Sequence, residues 1–335
     1  MTKPAERIRA VLEGRPVDRA ACSFWTHFPD IDLDPAAIAA ATVKFARALD
    51  LDLVKAMPNG LYSVEDWGVV PDFSAIAAGG VAKVTRAAVV NPQDWQRIRR
   101  LDPTRGAFGR ELDHLRRLVR ALGPDVPVLA TTFSPLTVAK KLGEAAFSAH
   151  VWTHPEPVLD ALGEIAATIA AFSREAIALG CAGVFFAVQE ATPAIGEDIY
   201  RRFGQPYDIA ALAGAKAGWC NTIHMHGDKV LFDMLKAYPV AMLNWHVGEA
   251  PPSIAAYRAA GGDRPILGGL RRTPITQGDR TAIAADIDAA FAVEGGRGIV
   301  LAPGCVIRHP VDEALLREVA RTIRTHPTRG KDAKH

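Results

Sequence analysis

Short apolar runs alternate with helical patterns along most of the chain. The runs span residues 21–25, 53–57, 126–130, 183–188, 221–224, 240–243, 266–267 and 298–301. The helical patterns span residues 38–49, 108–122, 155–178, 205–217, 280–292 and 312–325. Such an alternation predicts βα units built around a parallel sheet.

Eight candidate parallel strands with helices between them are the number found in a TIM barrel. We therefore predict an α/β fold, a single (β/α)8 TIM barrel over residues 1–325. A polar tail at 326–335 is expected to be disordered. A doubly wound open sheet is the alternative, but no glycine-rich phosphate-binding turn follows the first run. Segment 62–84, with Trp67 and Pro71, predicts a small β-hairpin excursion after the second strand.

Composition and charge limit the classes of partner. The chain has 335 residues, of which 39 are basic and 37 acidic, so its net charge is +2. So small a charge does not indicate binding to nucleic acid or to an anionic membrane. No stretch reaches the roughly 18 to 20 apolar residues of a membrane span. The first residues lack a signal-peptide pattern, and four cysteines do not make a disulfide framework. We expect a cytoplasmic protein that acts on small molecules. The sequence leaves the oligomeric state open, and a homodimer is the commonest form of soluble oligomers.

Polar side chains collect where the predicted strands end, which is the rim that carries the active site in TIM barrels. The strongest candidates for metal ligands are His224 and His226, because residues i and i+2 of an extended chain point to the same side. With the Cys305 thiolate they offer three nitrogen and sulfur ligands and leave a fourth position open, as in catalytic zinc sites. The alternative is two hydrogen-bonded histidines and a buried cysteine. His309 is a candidate substitute ligand or, alternatively, a loop residue at the start of the last helix, because Pro310 suits the first turn of a helix.

Two further residues at this rim are candidates for proton transfer. Glu190 ends a very apolar strand, so we expect a carboxyl group with a raised pKa, or alternatively an ion-paired rim residue. His246 is expected to manage protons or to orient a substrate or a metal ligand.

The remaining candidates are assigned to substrate binding from their positions alone. Lys55 is unusual because barrel strands rarely hold an unpaired lysine. Asn244 and Trp245 could orient a substrate or support a metal, although tryptophan is more often a core residue. Asp66, in the excursion, is a weaker candidate. The substrate-binding set is His27, Lys55, Gln189, Asn244 and Trp245.

The chain resembles the uroporphyrinogen decarboxylase superfamily, whose members are single-domain TIM barrels. Four segments carry the resemblance over nearly the whole length. They are residues 7–19 (RIRAVLEGRPVDR), 132–137 (TFSPLT), 265–270 (PILGGL) and 302–307 (APGCVI).

Two departures separate the chain from true uroporphyrinogen decarboxylases. Those enzymes carry arginines just after the first strand that grip the carboxylates of the porphyrinogen, whereas residues 26–30 here (THFPD) contain none. They also place a histidine after the glycine of the last loop, where this chain has Cys305. Both departures argue against porphyrinogen decarboxylation.

The chain is more similar to the methyltransferase branch, which moves methyl groups between corrinoids and thiols. Members of that branch bind zinc through a His-x-Cys motif and the cysteine of an Ala-Pro-Gly-Cys loop. The resemblance implies that His224, His226 and Cys305 hold one zinc ion per chain. His226 stands where the branch has cysteine. A neutral imidazole there replaces a thiolate, so the net charge of the site is more positive by one unit. A substrate thiolate would be held more firmly there and would be less nucleophilic.

These observations predict a zinc-dependent transferase of methyl or other small alkyl groups that activates a thiol acceptor. The sequence Asp-x-His-x-x-Gly of corrinoid-binding segments is absent. A corrinoid would therefore arrive on a separate corrinoid protein, unless the donor is a small methylated compound. One alternative is a metal-independent decarboxylase that uses Glu190, His224 and His246 as acid and base groups. Another is a non-catalytic binder of a tetrapyrrole or corrinoid.

Overall fold

The computed structural model describes residues 2–79 and 81–327, and most of the predicted tail at 326–335 lies outside this range. The strands, in chain order, are β1 (Ala21–Cys22), β2 (Val54–Lys55), β3 (Val70–Asp72), β4 (Lys83–Arg86), β5 (Val128–Phe133), β6 (Gly183–Val188), β7 (Thr222–Met225), β8 (Met242–Trp245), β9 (Ile266–Leu270) and β10 (Ile299–Pro303).

Eight of these strands form one parallel sheet in the order β1-β10-β9-β8-β7-β6-β5-β2. The sheet curls so that its two end strands meet. The backbone N–H of Asp52 donates to the carbonyl of Cys22 at 3.0 Å, and the hydroxyl of Ser23 donates to the carbonyl of Leu53 at 2.8 Å. The predicted (β/α)8 TIM-barrel-like fold is thus confirmed. The excursion is confirmed as well, because β3 and β4 pair as an antiparallel hairpin.

Most of the helices cover the outside of the sheet, whereas the first one packs its Ile8 and Val11 against residues inside the barrel. They are α1 (Pro4–Leu12), α2 (Pro35–Leu49), α3 (Tyr62–Glu65), α4 (Gly106–Leu122), α5 (Pro135–Thr153), α6 (Pro155–Ala178), α7 (Glu197–Ile199), α8 (Gln205–Leu212), α9 (Phe232–Leu235), α10 (Ile254–Ala259), α11 (Arg272–Gln277), α12 (Arg280–Glu294) and α13 (Glu313–Thr325). Short 3-10 turns cover Pro92–Arg97 and Ala213–Ala215, and a π-helical turn covers Tyr200–Gly204. Within the described range, no helix combines the length and apolar character that crossing a membrane requires.

The helical patterns missed α5, a 19-residue helix directly after β5. Its start carries a recognisable signal, because the hydroxyl of Ser134 accepts the N–H of Thr137 at 3.2 Å and Pro135 occupies the first helical position. This helix matters for the site, since it brings Lys141 to the cavity described below.

Alternate residues of the strands face the inside of the barrel. Leu129, Phe185 and Leu267 come from three different strands and pack together in one buried cluster. Their chain neighbours, such as Ala130 and Phe186, pack instead in the larger cluster that includes residues of the covering helices. This two-residue period decides which side chains of each strand end reach the barrel mouth.

A buried ion-pair network holds the seam between β1 and β2. The carboxylate of Asp52 is fully buried and accepts the guanidinium of Arg7, the guanidinium of Arg19 at 2.8 Å and the backbone N–H of Cys22 at 3.0 Å. Arg7, on α1, also makes two bonds of 2.8 Å to Asp18. The network connects α1 to the point where the sheet closes. It adds to the few backbone hydrogen bonds there, because β1 and β2 have only two residues each.

Candidate metal centre

A cavity of about 740 Å³ opens at the carboxyl ends of the parallel strands. The interior positions of β7 and β8 carry His224 and Asn244, and the same period aims His226 and His246 towards the cavity from the residues that follow each strand. Cys305 reaches the cavity from the loop after β10. The rim predicted from strand ends is therefore the place where the candidate side chains meet.

Four side chains at this rim are close enough to share a metal ion. His224, His226, His246 and Cys305 each offer a ligand atom, and these atoms all lie within 4.8 Å of one another. Nε2 of His224 is 3.3 Å from Nδ1 of His226. The same Nδ1 lies 3.7 Å from Sγ of Cys305. The sequence anticipated three of these residues as ligands, and the structure adds His246 to the group.

The side chain of Asn244 determines which nitrogen of His224 is free. Its amide nitrogen donates to the backbone carbonyls of Leu267 and Pro303, so its Oδ1 is left to face Nδ1 of His224. An amide oxygen only accepts hydrogen bonds, hence Nδ1 carries the proton. The lone pair of Nε2 then faces His226 and the metal-binding group.

His246 is held differently from the other two imidazoles. Its Nε2 accepts the backbone N–H of Gly227 at 3.3 Å, and its Nδ1 lies 3.8 Å from the carboxylate of Glu249. One nitrogen is thus engaged as an acceptor and the other faces an acid. In this arrangement the lone pair of Nε2 is engaged by a long backbone hydrogen bond, which His246 gives up only when that nitrogen binds a proton or a metal.

The loop after β10 is fixed on both sides, which positions Cys305. The N–H of Gly304 donates to the carbonyl of Leu270 at 3.0 Å, and the N–H of Ile307 donates to the carbonyl of Trp25 at 3.1 Å. Gly304 itself passes close to β8: a Cβ there would lie 2.7 Å from Cα of His246. Only glycine therefore allows this close approach of the loop.

Burial keeps the imidazoles of this group neutral. Burial and the neighbouring histidines lower the pKa of His226 to about 4 and that of His224 well below its ordinary value. Burial also lowers the pKa of His246, and it raises the pKa of the Cys305 thiol. Neutral imidazole is the form that binds metals.

Three of the predicted substrate-binding residues line the cavity. They are His27, Lys55 and Gln189, and His309 lies there with them. Burial lowers the pKa of His27 to about 4, and its Nδ1 has no hydrogen-bond partner among the described residues.

The structure does not bring three other candidates to the cavity wall. Burial raises the pKa of Glu190, but its side chain is not among those that line the cavity. Trp245 points away from the barrel interior, where its indole N–H donates to the carbonyl of Pro252 at 2.9 Å. Asp66 accepts the N–H of Ala107 at 2.8 Å, which caps the start of α4.

Sequence reasoning missed several charged residues of the cavity. Arg272 begins α11, Arg308 belongs to the last loop, and Glu249 follows β8. No periodic pattern marks these loop positions. Lys141 has no distinguishing signal either, because it adjoins Lys140 in a helix that the periodicity missed.

Comparison with known families settles the relationship. The uroporphyrinogen decarboxylase (URO-D) family matches residues 3–326. The chain belongs to this family. No curated protein matches the chain in sequence. Within the URO-D family, this member has no arginine at residues 26–30, so the cations of its cavity come from other segments.

Solved structures of low sequence identity share the fold of this chain. A methyltransferase from Methanosarcina mazei is 18% identical, with a TM-score of 0.83 over 97% of this chain and 98% of the other. A B12-independent methionine synthase from Shewanella sp. W3-18-1 is 12% identical, with a TM-score of 0.58 over 92% and 94%. A protein described as a vitamin-B12-independent methionine synthase from Listeria monocytogenes is 13% identical, with a TM-score of 0.56 over 91% and 96%.

Proposed function

We propose that this URO-D family member is a zinc-dependent transferase of methyl or other small alkyl groups, with a thiol as acceptor and His224, His226 and Cys305 as metal ligands. The spacing of the ligand atoms carries the proposal. Zinc bonds of about 2.0–2.1 Å to nitrogen and 2.3 Å to sulfur, set at tetrahedral angles, place two nitrogens about 3.3 Å apart and a nitrogen and a sulfur about 3.6 Å apart. The observed separations are 3.3 Å and 3.7 Å.

The chemistry of the donor set also supports zinc. One thiolate with two imidazoles favours zinc over magnesium or manganese, which prefer oxygen ligands. Three protein ligands leave one position for a substrate, as in catalytic rather than structural zinc sites. A zinc ion bound there supplies a positive charge that lowers the pKa of a thiol at the remaining position.

The protein's own residues would orient the reaction. Asn244 holds His224 in the tautomer whose Nε2 is free. His246, next to Glu249 at 3.8 Å, is placed to take up the proton that an incoming thiol releases. The apolar ring of Phe185 stacks on His224 with centroids 5.1 Å apart and keeps water from that side of the imidazole.

The names of the structural neighbours support methyl transfer as the class of reaction. One is a methyltransferase and two carry the name methionine synthase. For this chain we propose a methyl donor that is either a corrinoid carried by a separate protein or a small methylated compound. Glu190 and Gln189 stay proposals for proton transfer and substrate contact at the rim.

The proposal is tested by an alkyl-transfer assay on zinc-loaded and metal-free protein. Methylcobalamin and trimethylsulfonium serve in parallel as donors to 2-mercaptoethanol, and mass spectrometry quantifies the methyl thioether. We expect thioether from at least one donor with the zinc-loaded protein alone. Thioether formed equally fast without metal, or carbon dioxide released from small acids by the metal-free protein, would contradict the proposal and favour a decarboxylase.

Asn244→Leu is expected to weaken zinc binding by about 10- to 100-fold, the usual effect of losing a group that orients a metal ligand. The leucine has a similar volume but cannot accept the Nδ1 proton of His224, so the imidazole is free to adopt the wrong tautomer. A competition titration against a chromophoric chelator measures the affinity. An affinity equal to that of the wild type would show that Asn244 does not orient His224.

His246→Gln is expected to retain about one zinc ion per chain, because the nitrogens of His246 already face Gly227 and Glu249. His226→Gln, the matched variant, should lose the metal. Elemental mass spectrometry of both proteins after zinc loading gives the comparison. Equal loss in the two variants would indicate a closed site with four protein ligands, which leaves no position for a substrate.

A further inference from the structure

One lysine of the barrel interior is buried without an acid beside it. Among the lysine and arginine side chains that the structure describes, only Arg7 and Lys55 are buried, with 1% and 6% of their surface exposed. Arg7 is paired with Asp18 and Asp52. Lys55 has no carboxylate within ion-pair distance in the described part of the chain. Because a buried charge without a partner is costly, this position favours the neutral amine over the ammonium ion.

The immediate neighbours of Lys55 compensate a positive charge only weakly. Its Nζ contacts the thioether sulfur of Met57 and lies 4.7 Å from the ring centroid of Phe185 and 5.8 Å from that of Trp25. A thioether is a weak acceptor, and an aromatic face stabilises a cation less than a carboxylate does. Burial lowers the pKa of Lys55 to about 7, so a large share of the side chain is neutral amine near neutral pH.

The titratable groups around Lys55 do not restore its ordinary pKa. Cys305 and Glu111, when ionised, favour the ammonium form of Lys55, but the effect of burial is larger. Burial lowers the pKa of His27 and of His224, and the charge of Lys55 adds to both shifts, so neither imidazole stabilises a cation there. Nζ has no hydrogen-bond partner other than the thioether among the described residues. Its lone pair is therefore available for chemistry.

The amine can be reached from the cavity. Lys55 is the last residue of β2 and lines the cavity of about 740 Å³. Strand ends on this rim carry the reacting groups of TIM-barrel enzymes. A cavity of this volume is typical of sites for small molecules. Trp25, Met57 and Phe185 line it with Lys55, so the wall beside the amine suits the hydrocarbon part of a small molecule.

We propose that Lys55 is a nucleophile that captures a small aldehyde or ketone in this cavity as an imine. The lone pair of Nζ attacks the carbonyl carbon and opens the carbon–oxygen double bond. The nitrogen forms two bonds to that carbon and gives up both protons of the neutral amine. The carbonyl oxygen takes up two protons and leaves as one water molecule, so nothing is oxidised or reduced. A lysine desolvated in an apolar pocket is the type of residue that forms such Schiff bases.

The proposed capture needs neither a metal nor a methyl donor. It goes beyond the proposed alkyl transfer and does not depend on it. A chain that binds no zinc would contradict the alkyl transfer alone, whereas an unreactive Lys55 would contradict the capture alone.

Lys141 is the competing amine in the same cavity. Its Nζ donates to the carbonyl of Gly60 at 2.9 Å and lies 3.8 Å above the ring centroid of Phe133. A hydrogen bond to a carbonyl oxygen stabilises the ammonium form, in which the nitrogen has no lone pair. Burial lowers the pKa of Lys141 to about 8, less far than that of Lys55. We therefore expect Lys55 to be the more reactive of the two.

Reductive trapping tests the proposal. The purified protein is incubated at pH 7 with butanal and sodium cyanoborohydride, which reduces an imine to a stable secondary amine, and peptide mass spectrometry locates the label. An ordinary lysine, with a pKa of about 10.4, is almost entirely ammonium at this pH. We expect Lys55 to be labelled at least about tenfold faster than the exposed Lys44 and Lys216. The ratio should fall as the pH rises towards about 9, because ordinary lysines then become neutral.

Two variants identify the source of the fast labelling in the intact protein. Lys55→Met keeps the length of the side chain and removes the amine, so we expect a folded protein that lacks the fast label. Lys140→Met is the control and should keep it. Lys140 neighbours Lys141 on α5, but it donates to the carbonyl of Glu144 and the hydroxyl of Ser148 outside the cavity.

Two results would overturn the assignment of Lys55. One is labelling of Lys55 in the wild type that is no faster than labelling of Lys44 and Lys216. The other is a fast label that peptide mapping places on Lys141 and that Lys55→Met retains. The first result comes from the wild type alone, so it does not require that a variant fold.

Discussion

Cys305→Ala is expected to lower the affinity for zinc at least about a hundredfold and to abolish alkyl transfer. Loss of a group that merely orients a metal ligand already costs up to about 100-fold, and Cys305 is itself the sulfur donor of the proposed centre. Its Sγ lies 3.7 Å from Nδ1 of His226. Chelator competition and elemental mass spectrometry measure the affinity and the metal content.

Cys220→Ala is the matched control for this substitution. Cys220 is also a free, fully buried cysteine, but it packs in the apolar interior of the barrel. We expect this variant to bind zinc like the wild type. Equal metal content and activity in Cys305→Ala and the wild type would rule out Cys305 as a ligand.

Asp52→Ala is expected to lower the free energy of unfolding by about 3–5 kcal/mol, the usual cost of removing one partner from a buried ion pair. The substitution leaves the buried guanidinium of Arg7 with Asp18 as its remaining carboxylate and removes the acceptor for the N–H of Cys22. Both losses fall at the seam where β1 meets β2. Urea denaturation followed by circular dichroism measures the change.

An exposed ion pair provides the comparison for Asp52. Glu197 pairs with Arg201 at 3.3 Å, and both side chains are more than half exposed. Glu197→Ala should change the free energy of unfolding by less than about 1 kcal/mol, because water screens such pairs. Equal effects of the two substitutions would mean that the seam does not depend on the buried network.

The sequence predicted the barrel because parallel strands are buried on both faces and therefore appear as continuous apolar runs. The run at 183–188 coincides with β6 (Gly183–Val188). The run at 126–130 fits less well, because β5 (Val128–Phe133) continues through two threonines. Thr131 belongs to the strand although it is polar, since its hydroxyl is bonded to the carbonyl of Ala56. Such tertiary contacts are not visible in a pattern of polarity.

The residues of the site also differ in how far the sequence could predict their positions, because some are placed by local strand geometry and others by the tertiary structure. The two-residue period of a strand was enough to bring His224 and His226 together, and the strand-end rule added Cys305 from 79 positions away. The position of Lys141 could not be predicted, because it depends on a helix that the periodicity missed. The surroundings of Lys55 depend on the order of strands around the barrel, because Phe185, whose ring centroid is 4.7 Å from Nζ of Lys55, lies on β6, two strands away from β2.

The most direct test of the metal centre is X-ray absorption spectroscopy at the zinc edge of the zinc-loaded wild type. A centre built by His224, His226 and Cys305 predicts one sulfur at about 2.3 Å and nitrogen or oxygen neighbours at about 2.0–2.1 Å around each zinc ion. The sulfur signal should be absent from Cys305→Ala. A zinc shell without sulfur in the wild type, or a protein that binds no zinc after loading, would contradict the account.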